Sequence, residues 1–303
     1  MAGLSSRGIM MAVCLALLPG TATMIYFYGV GVVHNLLLAV PVGLAVEAIC
    51  LQLQQRSVGR TLADGSTVLT CVLIALALPP GAPFEILSIA VVAAVALAKH
   101  LYGGLGSNLF NPALVGYAVV LVSFPVAMAS WPIPMDGETG ATALVSMKYR
   151  EGLTVAEAWQ GARGFGAIGG YGWEWINLGF LLGGAVLVWR RLAAWRVPAT
   201  ILATIAVLAA AFWDGGSSTS SGSPLFHWFT GSTMLTVFFF ATDPVTHPVS
   251  PRGQIVFGIV VGTATFLIRA FGNYPDGAAF AILLGNALTP YLDKRLQEAS
   301  ANA

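Results

Sequence analysis

The 303-residue chain is 57% hydrophobic and only 9% charged, with a mean hydropathy of +0.80. Soluble domains carry about a quarter charged residues, so this composition excludes them and describes an all-α integral membrane protein. A net charge of +1 with no basic cluster offers nothing to nucleic acid, and three scattered cysteines, Cys14, Cys50 and Cys71, cannot supply the four thiolates of an iron–sulfur cluster.

Taken in chain order, the apolar runs predict ten membrane spans. The first, 8–28, begins like a secretory signal at Arg7, but its apolar run resumes through Met24–Phe27, which predicts a retained helix. The second, 30–53, contains Glu47, the one acid well inside a predicted span. An intramembrane carboxylate is costly, so Glu47 is a candidate for an ion or proton pathway. The plain alternative is a snorkelling side chain paired with a base such as Lys99. The third span, 65–80, opens on Gly65-Ser66-Thr67, and the fourth runs over 84–101. Ahead of the fifth, 109–129, stands "GGLGSNLFNP". Its Asn108 and Asn111 can donate and accept together, as recognition of a flavin edge or quinone carbonyl requires; capping of the next helix would use the same residues.

A long polar interruption, 130–172, follows. It carries "DGETGATA" at 136–143 and "GFGAIG" at 164–169. The latter matches G-x-G-x-x-G, yet leads straight into a membrane span instead of a βαβ unit, so it reads as a flexible linker. Spans at 173–190, 195–213, 227–242, 253–271 and 276–293 complete the chain. Gly179/Gly183 and Gly258/Gly262 have the spacing of close helix packing. His34, His100, His227 and His247 are dispersed, with no metal-ligand spacing, and no metal site is expected.

The halves repeat. Gly65-Ser-Thr-Val-Leu-Thr70 and Gly231-Ser-Thr-Met-Leu-Thr236 share five of six residues. Five spans per half is an odd number, so the halves have opposite orientations: an inverted repeat of 1–129 and 173–303 around the loop 130–172. Both repeated segments are short, the usual pointer to a central binding site, and Ser66, Thr67, Ser232 and Thr233 are candidate ligand contacts; helix capping is the alternative. With both termini cytoplasmic, ten Lys/Arg fall inside and four outside, which puts 130–172 on the outer face.

"DGETGATA" resembles the D-G-x-[ST]-G-A-T recognition motif of flavin transferases, which attach FMN by a phosphoester to the last Thr, here Thr142; Thr139 then serves recognition only. "KHLYGGLGSNLFNPALVGYAVVLVSFP", "GSTMLTVFFFATDPVTHPVSPRGQIVFG" and "NYPDGAAFAILLGNALTP" resemble the RnfD family, the D-type membrane component of the Rnf electron-transport complex. That family is similar to the B-type component of the Na⁺-translocating NADH:quinone reductase. Ala143 departs from the Pro that many relatives carry, and the usual N-terminal cytoplasmic extension is missing. The resemblance implies a multi-pass protein of the bacterial inner membrane, with covalent FMN at Thr142 on the periplasmic side and a non-covalent riboflavin as a second flavin. It implies electron relay between ferredoxin and NAD(H), Na⁺ or H⁺ movement, a flavin transferase for maturation, and the Rnf subunits A, B, C, E and G as partners. The alternative is a solute channel or secondary transporter without a redox cofactor, since inverted repeats with paired short helices occur there too.

Overall fold

A computed structural model describes residues 5–274 and 276–301. Among these there is no β-strand, only isolated bridges at Pro132–Thr139 and Phe165–Gly170. The helices are α1 (Ser6–Tyr28), α2 (Val30–Leu53), α3 (Val58–Leu62), α4 (Ser66–Ala77) and α5 (Phe84–Val92), which continues as the π-helix π1 (Ala93–His100). Then come α6 (Pro112–Ser123), α7 (Pro125–Ala129), α8 (Ala143–Lys148), α9 (Val155–Gly161), α10 (Trp173–Trp189) and α11 (Arg196–Ala211). The rest are α12 (Pro224–Trp228), α13 (Thr233–Leu235), a second π-helix π2 (Thr236–Phe240), α14 (Pro251–Phe271) and α15 (Ala278–Ala301).

Among the described residues three helices, α1, α2 and α14, are long and apolar enough to cross a membrane; α4, α6, α10 and α11 are apolar but shorter. The chain is thus an all-helical membrane protein, and helices answer the bilayer's demand that backbone groups be satisfied within the segment. The short segments are shorter than the apolar runs suggest. α4 has 12 residues. The run 227–242 is broken into α12, α13 and π2, because Gly231 stands in the left-handed region at φ +60 and stops the helix. The run 109–129 breaks at Phe124, before Pro125, which has no N–H to give to a continuous ladder.

Glycine seams hold parts of the bundle together, two of them at the G-x-x-x-G pairs. Gly179 and Gly183 of α10 lie against α1: a Cβ at Gly179 would meet Gly20 and Pro19 backbone atoms at 2.8 Å, and one at Gly183 would meet the Ala16 carbonyl. Gly258 and Gly262 of α14 lie likewise against Thr200 and Thr204 of α11. Small residues let such backbones touch where lipid gives no hydrophobic drive.

The segment 130–172 is a folded cap with its own apolar cluster, Ala143, Leu144, Met147, Val155, Ala158 and Phe165 with Phe226. The Trp159 and Phe165 rings stack at 4.5 Å. Arg150 pins the cluster by donating to the carbonyls of Met147, Leu153 and Ser218 and, most closely, of Ser220. Lys148 donates to the carbonyls of Ile268 and Tyr274 at 3.0 and 2.7 Å, tying the cap to the corner between α14 and α15. Burial lowers the pKa of this ammonium from its ordinary value, and the nearby Asp276 opposes that shift.

Two cavities and the polar cluster between the helices

At the end of α4 marked by Ala77 a cavity of about 370 Å³ opens under the cap. Its wall includes Tyr117, Trp131 and Trp173, and its polar groups include Thr142, Ser232 and Asp276. Trp131 and Trp173 meet edge-on at 5.3 Å, and Tyr28 stands against both. Thr142 is the N-cap of α8, its Oγ1 accepting from the Val145 N–H at 3.4 Å. Its hydroxyl proton has no acceptor among the described hydrogen bonds. Thr230, also in the lining, carries a buried Oγ1 with no partner. A cavity of this size with apolar aromatic walls and a few convergent polar groups has the make-up of a cofactor site, and a flat, polar-edged ring fits that donor set.

The "GFGAIG" loop forms the back of Thr142. A Cβ at Gly164 would sit 2.9 Å from the Ala141 carbonyl and 3.1 Å from the Ala143 nitrogen. The loop is not a loose linker: Ile168 and Gly169 donate their N–H groups to the Glu174 carboxylate at 2.6 and 2.7 Å.

At the Ser66 end of α4, roughly 17 Å away by helix rise, lies a second cavity of about 100 Å³. Ser66, Lys99, Asn108, Asn111 and Asp243 line it. Lys99 arrives on π1, and Phe238 and Phe239 arrive on π2; π-helical segments are frequent at functional sites. Asn111 caps α6 through its Oδ1 and also donates to Oδ2 of Asp243 at 3.3 Å. Asn108 turns back to donate to the Phe110 carbonyl.

Beside this cavity Glu47 is fully buried and paired with Lys99, itself 2% exposed. Ser66 and Thr67 join the pair, and neither hydroxyl caps α4. The corresponding cluster at the other end joins Arg269 to Asp276 at 3.1 Å and to Oγ1 of Thr233 at 2.9 Å. Thr233 therefore faces Arg269, and it is Ser232 that reaches the cavity. Among the described residues no group of three or more His, Cys, Asp or Glu side chains could hold a metal.

The NQR2, RnfD, RnfE family model matches residues 1–302. The chain belongs to that family. A relative from Pseudomonas paraeruginosa is 46% identical over 96% of this chain and 90% of its own length. One from Ectopseudomonas mendocina is 46% identical over 95% and 89%, and one from Cellvibrio japonicus 42% over 94% and 88%. Each of the three carries the name of the D-type subunit of an ion-translocating oxidoreductase complex.

For this member of the family the structure brings Thr142 and Ser232 to one cavity, and Ser66, Asn108 and Asn111 to the other, with Thr67 and Glu47 behind it. Sequence reasoning missed Asp243, Arg269, Asp276 and the aromatic wall. Asp243 had a signal, an acid between an apolar run and a proline in "ATDPV". Arg269 and Asp276 had only their place at a helix end.

Proposed function

We propose that this chain is the D-type membrane subunit of an ion-translocating oxidoreductase complex and that it carries FMN on Thr142. The observation that carries the reading is the shared cavity: the Thr of the flavin-transferase motif opens onto a space walled by aromatic rings and reached by Ser232 and the start of α13. The flavin, when bound, supplies one- and two-electron transfer, and the protein's part is orientation and electrostatics. The Thr142 β-hydroxyl serves as the nucleophile in attachment. Tyr117, Trp131 and Trp173 offer apolar faces to a planar ring, while Ser232 and the unpartnered Thr230 Oγ1 offer hydrogen bonds to its polar edge. The resemblance also implies a second, non-covalent flavin of riboflavin type; the smaller cavity, which Asn108 and Asn111 line, is at about 100 Å³ too small to hold its ring as it stands.

The ten-span inverted repeat has local support. Gly65 and Gly231 are both left-handed, at φ +79 and +60. Thr67 accepts from Lys99 near the end of π1, as Thr233 accepts from Arg269 near the end of α14. Asn111 precedes α6 as Asp276 precedes α15. The Lys/Arg asymmetry assigns the larger cavity to the periplasmic side and the smaller to the cytoplasmic side of the inner membrane. Electrons pass through the complex between ferredoxin and NAD(H), with Rnf subunits A, B, C, E and G as neighbours, and Na⁺ or H⁺ moves with them; Glu47 belongs to the ion path.

Thr142→Ala should abolish in-gel flavin fluorescence while the protein stays in the membrane. A Thr142→Ala band that remains fluorescent, with a dark Thr139→Ala band, would move the tether. A wild-type complex with no chromophore would favour the channel or transporter reading. For sidedness, single cysteines at Gly137 and Ser57 in a cysteine-free chain are exposed to an impermeant thiol reagent on spheroplasts. Labelling at 57 and not at 137 would reverse the orientation.

A further inference from the structure

The buried Lys99 ammonium is surrounded as a metal ion would be. Its Nζ lies 3.0 and 2.9 Å from the two carboxylate oxygens of Glu47, 2.9 Å from Oγ of Ser66 and 2.8 Å from Oγ1 of Thr67. Four oxygens thus converge on a centre that has three N–H bonds to give. Both hydroxyl protons are committed elsewhere. Ser66 Oγ donates to Oδ1 of Asp64 at 2.6 Å, and Thr67 Oγ1 donates to Oε2 of Glu47. The two hydroxyls therefore turn only lone pairs toward the centre, which is the arrangement a hard cation needs.

We propose that Glu47, Ser66 and Thr67 form a binding site for a monovalent alkali cation, in which Lys99 is the built-in, displaceable occupant. The proposal deepens the ion-translocating reading above, on which its role in transport rests. One carboxylate balances one positive charge, so a monovalent ion replaces the ammonium without leaving net charge in a fully buried place. Lys99 has somewhere to go, because the same side chain lines the small cavity, which the Asp243 side chain also lines. An ammonium moved toward Asp243 and a cation left on Glu47 make two paired charges where there had been one. Lys suits this exchange: its charge is a compact point on a flexible stem, unlike the rigid fork of Arg. The other titratable neighbours are Asp64, bonded to Ser66, the thiols of Cys71 and Cys50, and His100, whose Nε2 stands 3.2 Å from Oε1 of Glu47 without a hydrogen bond.

The test uses the full chain purified in detergent, with melting followed in NaCl, KCl and choline chloride at equal ionic strength. Lys99→Met removes the occupant and leaves the oxygens. Its Tm should rise by about 4 °C or more from choline to one of the alkali salts, and the salt that acts identifies the ion. The double variant Lys99→Met/Glu47→Gln should melt alike in all three. Equal melting of Lys99→Met in the three salts overturns the proposal. So does failure of Lys99→Met to accumulate in any salt when the double variant accumulates normally, since an alkali cation would then have had its chance to neutralise Glu47. The readout needs no flavin, so a failed Thr142 experiment leaves it untouched. Cation binding without coupled transport in vesicles of the whole complex would refute the translocating role and keep the site.

Discussion

The two ends of the bundle use the same three letters, Gly-Ser-Thr, with different counter-charges. At the Ser66 end Thr67 meets a lysine whose partner Glu47 is completely buried. At the Ser232 end Thr233 meets an arginine whose partner Asp276 keeps a side chain 24% exposed. Arg269 has its donors spent in fixed directions, on Asp276, on Thr233 and on the His227 carbonyl at 2.8 Å. Such a planar fork is a permanent pin. Lys99 instead sits in a symmetric nest of oxygens with open space beside it. One motif can thus be made rigid or exchangeable by the cation set against it: the rigid end adjoins the cavity that Thr142 and Asp276 line, and the exchangeable end adjoins the smaller cavity that Lys99 lines.

Removing each cation alone separates the two ends most sharply. Without an alkali salt, Lys99→Met leaves an unpaired buried carboxylate and should lose about 3–5 kcal/mol, read as a large fall in Tm. Arg269→Met should lose less, about 1.5–3 kcal/mol, because Asp276 reaches water, and no salt should restore it. Next in size comes loading of the cofactor. Gly164→Ala pushes a Cβ into the backbone at 141–143 and should cut flavin occupancy severalfold, as seen by in-gel fluorescence. Gly161→Ala meets nothing within 4 Å and should load normally. The smallest effect expected is on potential. Ser232→Ala removes a hydrogen bond available to the reduced, anionic ring and should lower the covalent flavin's midpoint by tens of millivolts at full occupancy. Ser66→Ala should leave that potential where it was. Equal potentials in the two variants and the wild type would erase the functional distinction drawn between the two serines.

Helix placement could be read from apolar runs because hydrocarbon imposes length and composition on each span. α1, α2 and α14 follow those runs closely. What could not be read was where helices change character. π1 and π2 continue apolar helical runs with no Gly or Pro to mark the change of winding. The repeated Gly-Ser-Thr drew notice to Ser66, Thr67, Ser232 and Thr233, but only packing shows that Ser232 enters a cavity while Thr233 turns to Arg269. Likewise "GFGAIG" reads as slack chain until Glu174, on the next helix, is seen gathering its N–H groups. Asn111 was half legible: capping of α6 follows from Asn-Pro, whereas its bond to Asp243 spans 132 residues.

The seam between α1 and α10 has a mechanical consequence. With Gly183 set against the Ala16 carbonyl and Gly179 against Pro19 and Gly20, these helices meet backbone to backbone, and the buried Phe180 ring fills the one place left at Gly20. α1 and α10, the first helix of each half, are thus locked together and should shift only as a unit. Any rearrangement at Glu47 then falls to the shorter pieces beside it, α4 and π1, which hold Thr67 and Lys99, and π2 across the small cavity.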